Sequence, residues 1–149
     1  MSQAREYPAY PMVGVGTFIM KDGHVLLVRR GREPALGKWS IPGGLVQVGE
    51  TVEAAAMREA KEECGLTVRL EGLVGVVNRI IPDAAGRVQY HYVLIDFLAR
   101  AEAGEPAAGS DASEVRWVPV GEVKRYETTE GLAQMVDRAV HLLEGGATR

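Results

Sequence analysis

The chain has 149 residues, enough for one domain with a hydrophobic core and too few for two domains of ordinary size. Hydrophobic residues make up 46% and charged residues 25% of it, as in an ordinary globular protein. The net charge of -3 argues against a surface that binds nucleic acid, and no stretch approaches the roughly 18 apolar residues of a membrane span.

Cysteine content and the N-terminal residues both favour a cytoplasmic protein. Cys64 is the only cysteine, so no internal disulfide can form. Met1–Pro11 lacks the basic start and the apolar run of a secretory signal. We therefore expect a cytoplasmic location, without membrane or nucleic-acid partners.

The first predicted elements form a β-hairpin. Val13–Met20 and His24–Val28 are β-rich runs, and the Asp22-Gly23 pair between them is a good hairpin signal. Arg29–Lys38 contains Gly and Pro without periodicity and is predicted to be a loop. Trp39–Ile41 follows as a short extended piece.

A helix is predicted next. Thr51–Cys64 consists mostly of strong helix formers, including three consecutive alanines. Thr51 suits the N-cap, and Gly65 is well placed to end the helix.

The following segment predicts strands separated by loops. Leu66–Val77 and Tyr90–Leu98 are strand-like, and Asn78–Gln89 between them contains Pro and Gly and is expected to be an exposed loop. Ala101–Ser113 is small and polar, hence a second loop, and Glu114–Val120 is a short strand.

A second helix, Glu130–Glu144, completes the pattern. Its apolar residues recur at helical spacing and form one stripe: Leu132, Met135, Val136, Ala139, Leu142 and Leu143. The element order predicts an α/β (α+β) sandwich in which helices flank a mixed sheet. We expect a single domain over 11–145, with residues 1–10 and the tail 146–149 flexible.

Three glutamates on the first helix lie close together. Glu59, Glu62 and Glu63 occupy positions i, i+3 and i+4, within an arc of roughly 100° on one helix face. Carboxylates this close repel each other, and Arg58 alone cannot neutralise three of them. The spacing thus allows a bound cation, whereas charge runs of this kind are more often a solvated helix face.

Magnesium suits these carboxylates. Mg²⁺ prefers oxygen ligands and commonly takes a few carboxylates together with substrate phosphates. Zinc suits them less, because Cys64 is alone and the histidines are isolated: His24, His91 and His141. Just upstream, the glycines of Pro42–Gly44 let the backbone approach a metal or a phosphate, and Glu50 adds another acid. This context favours the cation site over the solvated face.

The same residues carry a family resemblance. From Gly44 to Leu66 the chain reads GLVQVGETVEAAAMREAKEECGL, which matches the Nudix box: G, five residues, E, seven residues, then R-E-U-x-E-E-x-G-U, with U apolar. All fixed positions match: Gly44, Glu50, Arg58, Glu59, Glu62, Glu63 and Gly65. The hairpin and Gly37–Gly44 (GKWSIPGG) are also similar, so the chain resembles the Nudix hydrolase family over most of its length.

The resemblance implies an α/β/α sandwich that hydrolyses nucleoside diphosphate derivatives. It implies that Glu59, Glu62 and Glu63 ligate Mg²⁺ or Mn²⁺, with a carbonyl of Gly43 or Gly44 completing the site. Arg58 would orient the acids through ion pairs, and Glu50 would act as a more distant or water-mediated ligand. The general base would be Glu62 or Glu63, or else one of the later loop residues, Asp111 or Glu114.

The substrate is less constrained by the sequence. Candidate substrate contacts are Trp39, Arg29, Tyr90 and Tyr92, each of which has a packing or solvated alternative. Pro82-Asp83 in the predicted loop is similar to ADP-ribose-cleaving members, so ADP-ribose is the first expectation. A nucleoside triphosphate pyrophosphohydrolase, including one for oxidised nucleotides, is the alternative, and a non-catalytic nucleotide-binding module is a minor one. Family resemblance is also compatible with a homodimer.

Overall fold

The chain folds into one mixed sheet with a helix against each face. A computed structural model describes residues 5–109 and 111–147, with only the helical backbone of residues 146 and 147. Within them lie β1 Met12–Lys21, β2 His24–Arg30, β3 Trp39–Ser40, β4 Gly43–Leu45, α1 Val52–Cys64, β5 Thr67–Pro82, β6 Val88–Ala103, β7 Ala112–Pro119 and α2 Leu132–Ala147. A 3-10 helix, Val120–Arg125, precedes α2. The predicted mixed sheet flanked by helices is confirmed.

The sheet opens between β1 and β2. The strand order is β3-β2-β1-β6-β5, β1 and β6 run parallel, and β7 pairs with β2. β1 pairs with β2 at Met20 and Lys21, whereas its Gly14–Gly16 pairs with β4. β2 in turn pairs with β3 at Val28 and Arg29. Residues 39–45 therefore fill the fork where the two strands diverge.

Alternate residues of the central strands face opposite layers, as the period of a strand requires. On β1, Val15 and Ile19 pack in the clusters that contain α1, and Phe18 packs in the cluster that contains α2. On β6, Phe97 packs in a cluster that contains α1, and Leu98 packs in the cluster that contains α2. Each large side chain buried in this manner contributes about 1.5–3 kcal/mol.

The predicted first helix is confirmed together with its caps. The Thr51 hydroxyl accepts from Ala54 N at 3.1 Å, and Gly65 ends the helix in the left-handed region with φ 76°. The buried alanines Ala55, Ala56 and Ala60 let α1 lie close to the sheet. A loop then closes the last turn, where Ala107 N donates to the Cys64 carbonyl at 3.0 Å and Gly109 N donates to the Glu63 carbonyl at 2.6 Å.

Two predicted loops are wrong in extent. Most of Asn78–Gln89 is strand, because β5 continues to Pro82 and β6 begins at Val88. The β-branched pair Ile80 and Ile81 joins the ladder, and Pro82 is tolerated at the end of an edge strand. Asp83 makes the short turn, since its Oδ1 accepts from Ala85 N and Arg87 N, both at 2.9 Å.

The second predicted loop is shorter than expected at both ends. β6 runs to Ala103 and β7 starts at Ala112, so the loop spans residues 104–111 rather than Ala101–Ser113. Continuous pairing of β5 with β6 carries the strand through these small residues, which have little strand preference of their own.

The second helix starts later and ends later than predicted. Leu132, Val136 and Ala139 of the apolar stripe are buried, but Leu142 is 40% exposed. No helix among the described residues is long and apolar enough to cross a membrane.

The chain ends are partly described. Residues 1–4, 148 and 149 lie outside the described residues, and the predicted domain limits stay a prediction. Within the segment expected to be flexible, Tyr7 N donates to the Gln89 carbonyl at 2.7 Å, and the Tyr7 hydroxyl donates to Asp83 at 2.8 Å.

Candidate active site

The fork between β1 and β2 opens onto a cleft of about 400 Å³. Its floor is one face of β1 and β6, with Gly14 and Gly16 beside Tyr92, Leu94 and Asp96. The acidic face of α1 and the glycines of β4 form one wall. Arginines approach from other sides: Arg5, Arg30, Arg32 and Arg79.

Arg58 connects the acidic residues of this wall. Its Nε and Nη2 donate to the two carboxylate oxygens of Glu50 at 2.6 and 2.9 Å. Its Nη1 lies 3.0 Å from Glu62 Oε2 and 3.3 Å from Glu59 Oε1. Nη2 also donates to the Leu45 carbonyl at 3.1 Å, which ties α1 to the end of β4. One guanidinium therefore orients three carboxylates and a strand end.

The pairing with Arg58 separates Glu50 electrostatically from the other acids. The hydrogen bonds from Arg58, assisted by one from Gln47 N, hold the pKa of Glu50 at about 2. Arg58 stays charged, because its bond to Glu50 raises its own pKa further. Glu50 is thus a permanent anion that fixes the guanidinium.

Glu63 is the most buried of the three glutamates. It is 7% exposed, and its Oε2 accepts from Gly43 N at 3.1 Å. Burial raises the pKa of Glu63 to about 7, against the lowering effect of the Gly43 bond. Burial also raises the pKa of Glu59. Glu62, by contrast, is half-exposed.

The donor set fits a hard divalent cation, although the side chains are not gathered around one. Carboxylates and backbone carbonyls are the oxygen ligands that Mg²⁺ and Mn²⁺ accept. The burial of Glu59 and Glu63 disfavours their charged forms, and a cation would reverse that. As positioned, no three His, Cys, Asp or Glu side chains in residues 5–109 and 111–147 are arranged to hold a metal. Arg58 engages Glu59 and Glu62 instead.

The two glycines of β4 lie where no side chain fits. A Cβ on Gly44 would be 2.0 Å from Glu59 Oε2, and one on Gly43 would be 2.1 Å from the Val15 carbonyl oxygen. The first collision is with the end of a flexible side chain and the second is with backbone. A side chain at position 44 would therefore displace Glu59, whereas one at position 43 would disturb the pairing of β4 with β1.

We expect Gly44→Ala to lower kcat/KM roughly 10- to 100-fold with little change in stability, because Glu59 must move. Gly43→Ala should instead cost about 1–3 kcal/mol of unfolding free energy, since β4 must shift from β1. Steady-state kinetics and urea unfolding of both variants check this pair. Equal behaviour of the two variants would contradict it.

Replacement of Arg58 by Lys should lower activity about 10- to 100-fold. Lysine keeps the charge but cannot donate to both oxygens of Glu50 while also reaching Glu62 and the Leu45 carbonyl. The measurement is kcat/KM across metal concentrations. Arg69→Lys, an exposed pair with Glu71 outside the cleft, is the matched control. Wild-type activity in Arg58→Lys would show that these contacts are dispensable.

The two loop acids are placed differently. Asp111 lines the cleft and lies 3.6 Å from Arg32 Nη1 through its Oδ2. Glu114 does not line it, because its carboxylate lies 2.5 Å from Arg116 Nη2 on β7. The structure thus brings only Asp111 of this pair to the cleft.

Of the four candidate substrate contacts, only Tyr92 lines the cleft. Trp39 is 8% exposed and packs edge-on against Tyr126, with ring centroids 5.4 Å apart, which matches its packing alternative; stacking on a base stays a prediction. Arg29 Nε donates to the Gly37 carbonyl at 3.1 Å, away from the cleft. Tyr90 is buried beside Tyr92, with ring centroids 6.3 Å apart, and does not line the cleft either.

Three residues that line the cleft are not among the predicted site residues. Arg30, at the end of β2, is half-buried, and its Nε donates to the Pro34 carbonyl at 2.7 Å. Arg79 lay in the segment predicted to be a loop. Asp96 had a visible signal, because it is the one charged residue in the apolar run Tyr90–Leu98.

Comparison with known proteins gives the family of the chain. A family model described as the NUDIX domain matches residues 10–139. The ADP-ribose pyrophosphatase of Methanocaldococcus jannaschii is 40% identical over 108 residues, which cover 72% of this chain and 62% of that protein. The oxidized purine nucleoside triphosphate hydrolase of Danio rerio is 37% identical over 105 residues, covering 70% and 64%. The matched region is therefore less than two thirds of either relative.

The fold is also similar to that of a solved Nudix hydrolase structure. The crystal structure of MutT NUDIX hydrolase from Burkholderia pseudomallei is 34% identical and superimposes with a TM-score of 0.73. The match covers 87% of this chain and 98% of that one.

Proposed function

This chain belongs to the Nudix family, and we propose that it hydrolyses the diphosphate linkage of a nucleoside diphosphate derivative, with ADP-ribose as substrate. Water would attack one phosphorus, the bridging P–O bond would break, and the products would be AMP and ribose 5-phosphate. The name of the Methanocaldococcus jannaschii relative supports this choice of substrate.

The observation that carries the proposal is the acidic wall of the cleft. Arg58 holds Glu50, Glu59 and Glu62 together, and Glu63 lies beside them on Gly43 N. A solvated helix face would leave these side chains separate and exposed, whereas Glu63 is buried and Glu59 partly buried beside the cleft. Their arrangement therefore favours a binding role.

Glu59, Glu62 and Glu63 would hold Mg²⁺, or Mn²⁺ in its place, with a carbonyl of Gly43 or Gly44. When bound, the cation would neutralise phosphate charge and make water easier to deprotonate. The chain itself supplies the proton acceptor, for which we propose Glu62 or Glu63, with Asp111 as the loop alternative. Arg58 and Glu50 would position these acids without contacting the substrate.

The remaining cleft residues suit a phosphorylated ligand. Arg30, Arg32 and Arg79 bring positive charge to the lining of the cleft. Arginine binds phosphate through paired N–H donors, so these side chains are the proposed contacts for phosphate groups that the cation leaves free.

A second candidate is pyrophosphohydrolysis of nucleoside triphosphates, including oxidised ones. The Danio rerio relative favours it, and the acidic wall serves either reaction equally well. The non-catalytic binding module is less favoured, because every acid of the Nudix box and Arg58 are present and positioned.

The test is a substrate panel with Mg²⁺ and, in parallel, with EDTA. The panel contains ADP-ribose, other sugar nucleotides, NADH, dinucleoside polyphosphates, and normal and oxidised deoxynucleoside triphosphates. AMP and ribose 5-phosphate from ADP-ribose, abolished by EDTA, are the expected products. Monophosphate and pyrophosphate from triphosphates would move the assignment to the second candidate. No metal-dependent product at all would overturn the enzymatic proposal.

A further inference from the structure

Asp96 is a buried carboxylate on the cleft floor that the proposed reaction does not use. We propose that Asp96 determines substrate specificity by accepting a hydrogen bond from an exocyclic amine of the nucleobase. The proposal rests on the proposed function only in that the cleft binds a nucleotide.

The position of Asp96 is set by the register of β6. Asp96 lies opposite Gly16 of β1, and it shares its sheet face with Tyr92 and Leu94, which line the same cleft. A Cβ on Gly16 would lie 2.7 Å from Asp96 Oδ1. The carboxylate is therefore at the surface of the floor and not beneath it.

The side chain of Asp96 has no partner of its own. It is 7% exposed, and it makes no hydrogen bond or ion pair with the residues at 5–109 and 111–147. Arg79 is the charged group that acts on it, from β5, and its Nη2 donates to the Glu130 carbonyl at 2.9 Å. A largely buried carboxylate without a protein partner is costly, and its position on the cleft floor leaves it open to a donor from a ligand.

Tyr92 gives independent support from the same strand. Its hydroxyl is buried without a hydrogen-bond partner among the described residues, four positions from Asp96 on the same face. At about 3.3 Å per residue the two Cα atoms are roughly 13 Å apart. The floor thus contains two polar side chains without a protein partner, of which Asp96 reaches the cleft and the Tyr92 hydroxyl is buried.

Apolar side chains lie beside the Asp96 carboxylate on the floor. Leu94 covers Gly14 and Ile41 covers Gly16, 2.8 and 2.6 Å from the points that a Cβ on the respective glycine would occupy. An apolar lining with a carboxylate acceptor suits a nucleobase, which combines apolar faces with N–H groups on its rim.

Asp96 is separate from the proposed cation site. β6, β1 and β4 are adjacent strands, and Asp96, Gly16 and Gly43 are in register across them. With strands about 4.8 Å apart, Asp96 lies roughly 10 Å from the backbone of Gly43. A nucleotide with its phosphates at the acidic wall would place its base toward the floor.

Two pairs of monophosphates that differ by one amine test the proposal. They are AMP against purine riboside 5′-monophosphate, and GMP against IMP, titrated calorimetrically at pH 8 with Mg²⁺. We expect the wild type to bind the amine-bearing member of at least one pair roughly 10- to 100-fold more tightly, as for a hydrogen bond to a charged acceptor. Asp96→Leu should remove this difference, and Asp96→Asn, which keeps one acceptor oxygen, should restore part of it.

The control variant is Asp22→Asn, in the exposed β1–β2 turn, which should bind all four monophosphates as the wild type does. Discrimination in the guanine pair alone would support Asp96 while overturning ADP-ribose as substrate. Equal affinities within both pairs for the wild type, or a difference that survives in Asp96→Leu, would overturn the role of Asp96. Binding of none of the four would overturn it as well. If Asp96→Leu does not fold, the test is the comparison of the wild type with Asp96→Asn, which should discriminate less within the same pair.

Discussion

Glu63→Gln is expected to lower kcat by about 10²- to 10⁴-fold while the protein stays folded. The amide is nearly isosteric and its oxygen can still accept from Gly43 N, so the local structure should survive. What is lost is a negative oxygen beside Glu59, and with it the proposed ability to hold a cation or take a proton. The large effect on rate follows from charge alone.

The measurement is single-turnover and steady-state kinetics on the substrate identified by the panel, with unfolding curves for both proteins. Glu53→Gln is the matched control, because Glu53 is exposed in the first turn of the same helix. A Glu63→Gln enzyme as fast as wild type would remove Glu63 from the machinery. A variant that unfolds would instead assign Glu63 a structural role.

Asp96→Asn should raise the free energy of unfolding at pH 8 by up to about 3 kcal/mol. Burial raises the pKa of Asp96 from 3.8 to about 6, against a lowering effect of Arg79, and each pKa unit corresponds to about 1.36 kcal/mol. The folded protein therefore holds the proton more tightly than the unfolded chain. The stability from that proton is complete below pH 3.8, declines as pH rises to about 6, and is absent above.

Asparagine does not titrate, so the variant does not lose stability in this way as the pH rises. Urea unfolding at pH 4.5 and pH 8 should show the two proteins converging at the lower pH and separating at the higher one. Asp22→Asn is the control for an exposed aspartate. A variant that is less stable than wild type at pH 8 would mean that the Asp96 carboxylate has a stabilising partner.

The acidic wall was predictable because its glutamates are close together in the sequence and lie on one helix. The spacing of Glu59, Glu62 and Glu63 specifies one helix face, and Thr51 and Gly65 mark where that helix begins and ends. Four residues of helical rise are enough to bring these side chains together. No knowledge of the rest of the chain was needed, and the composition of the helix made its existence the strongest element prediction.

The cleft floor was not predictable in the same way, because it depends on the parallel pairing of β1 with β6, which lie far apart in the chain. Arg79 lies opposite Tyr92 through the register of the β5–β6 hairpin. The hydrogen bonds of this hairpin override the loop-like appearance of the segment around Pro82. Trp39 illustrates the converse, since its aromatic character was visible but its burial against Tyr126 was not.

The alternation along β6 also bears on how related proteins can diverge. Tyr92, Leu94 and Asp96 line the cleft while Ile95 and Phe97 between and beside them pack toward α1. Inserting or deleting one residue here would exchange the two sets and destroy the fold. Exchanging Asp96 would leave the hydrophobic clusters untouched, whereas Tyr92 and Leu94 also pack with Met12 and Tyr90. Inherited changes in ligand preference should therefore accumulate at every second position of this strand, by substitution and without any change in its length.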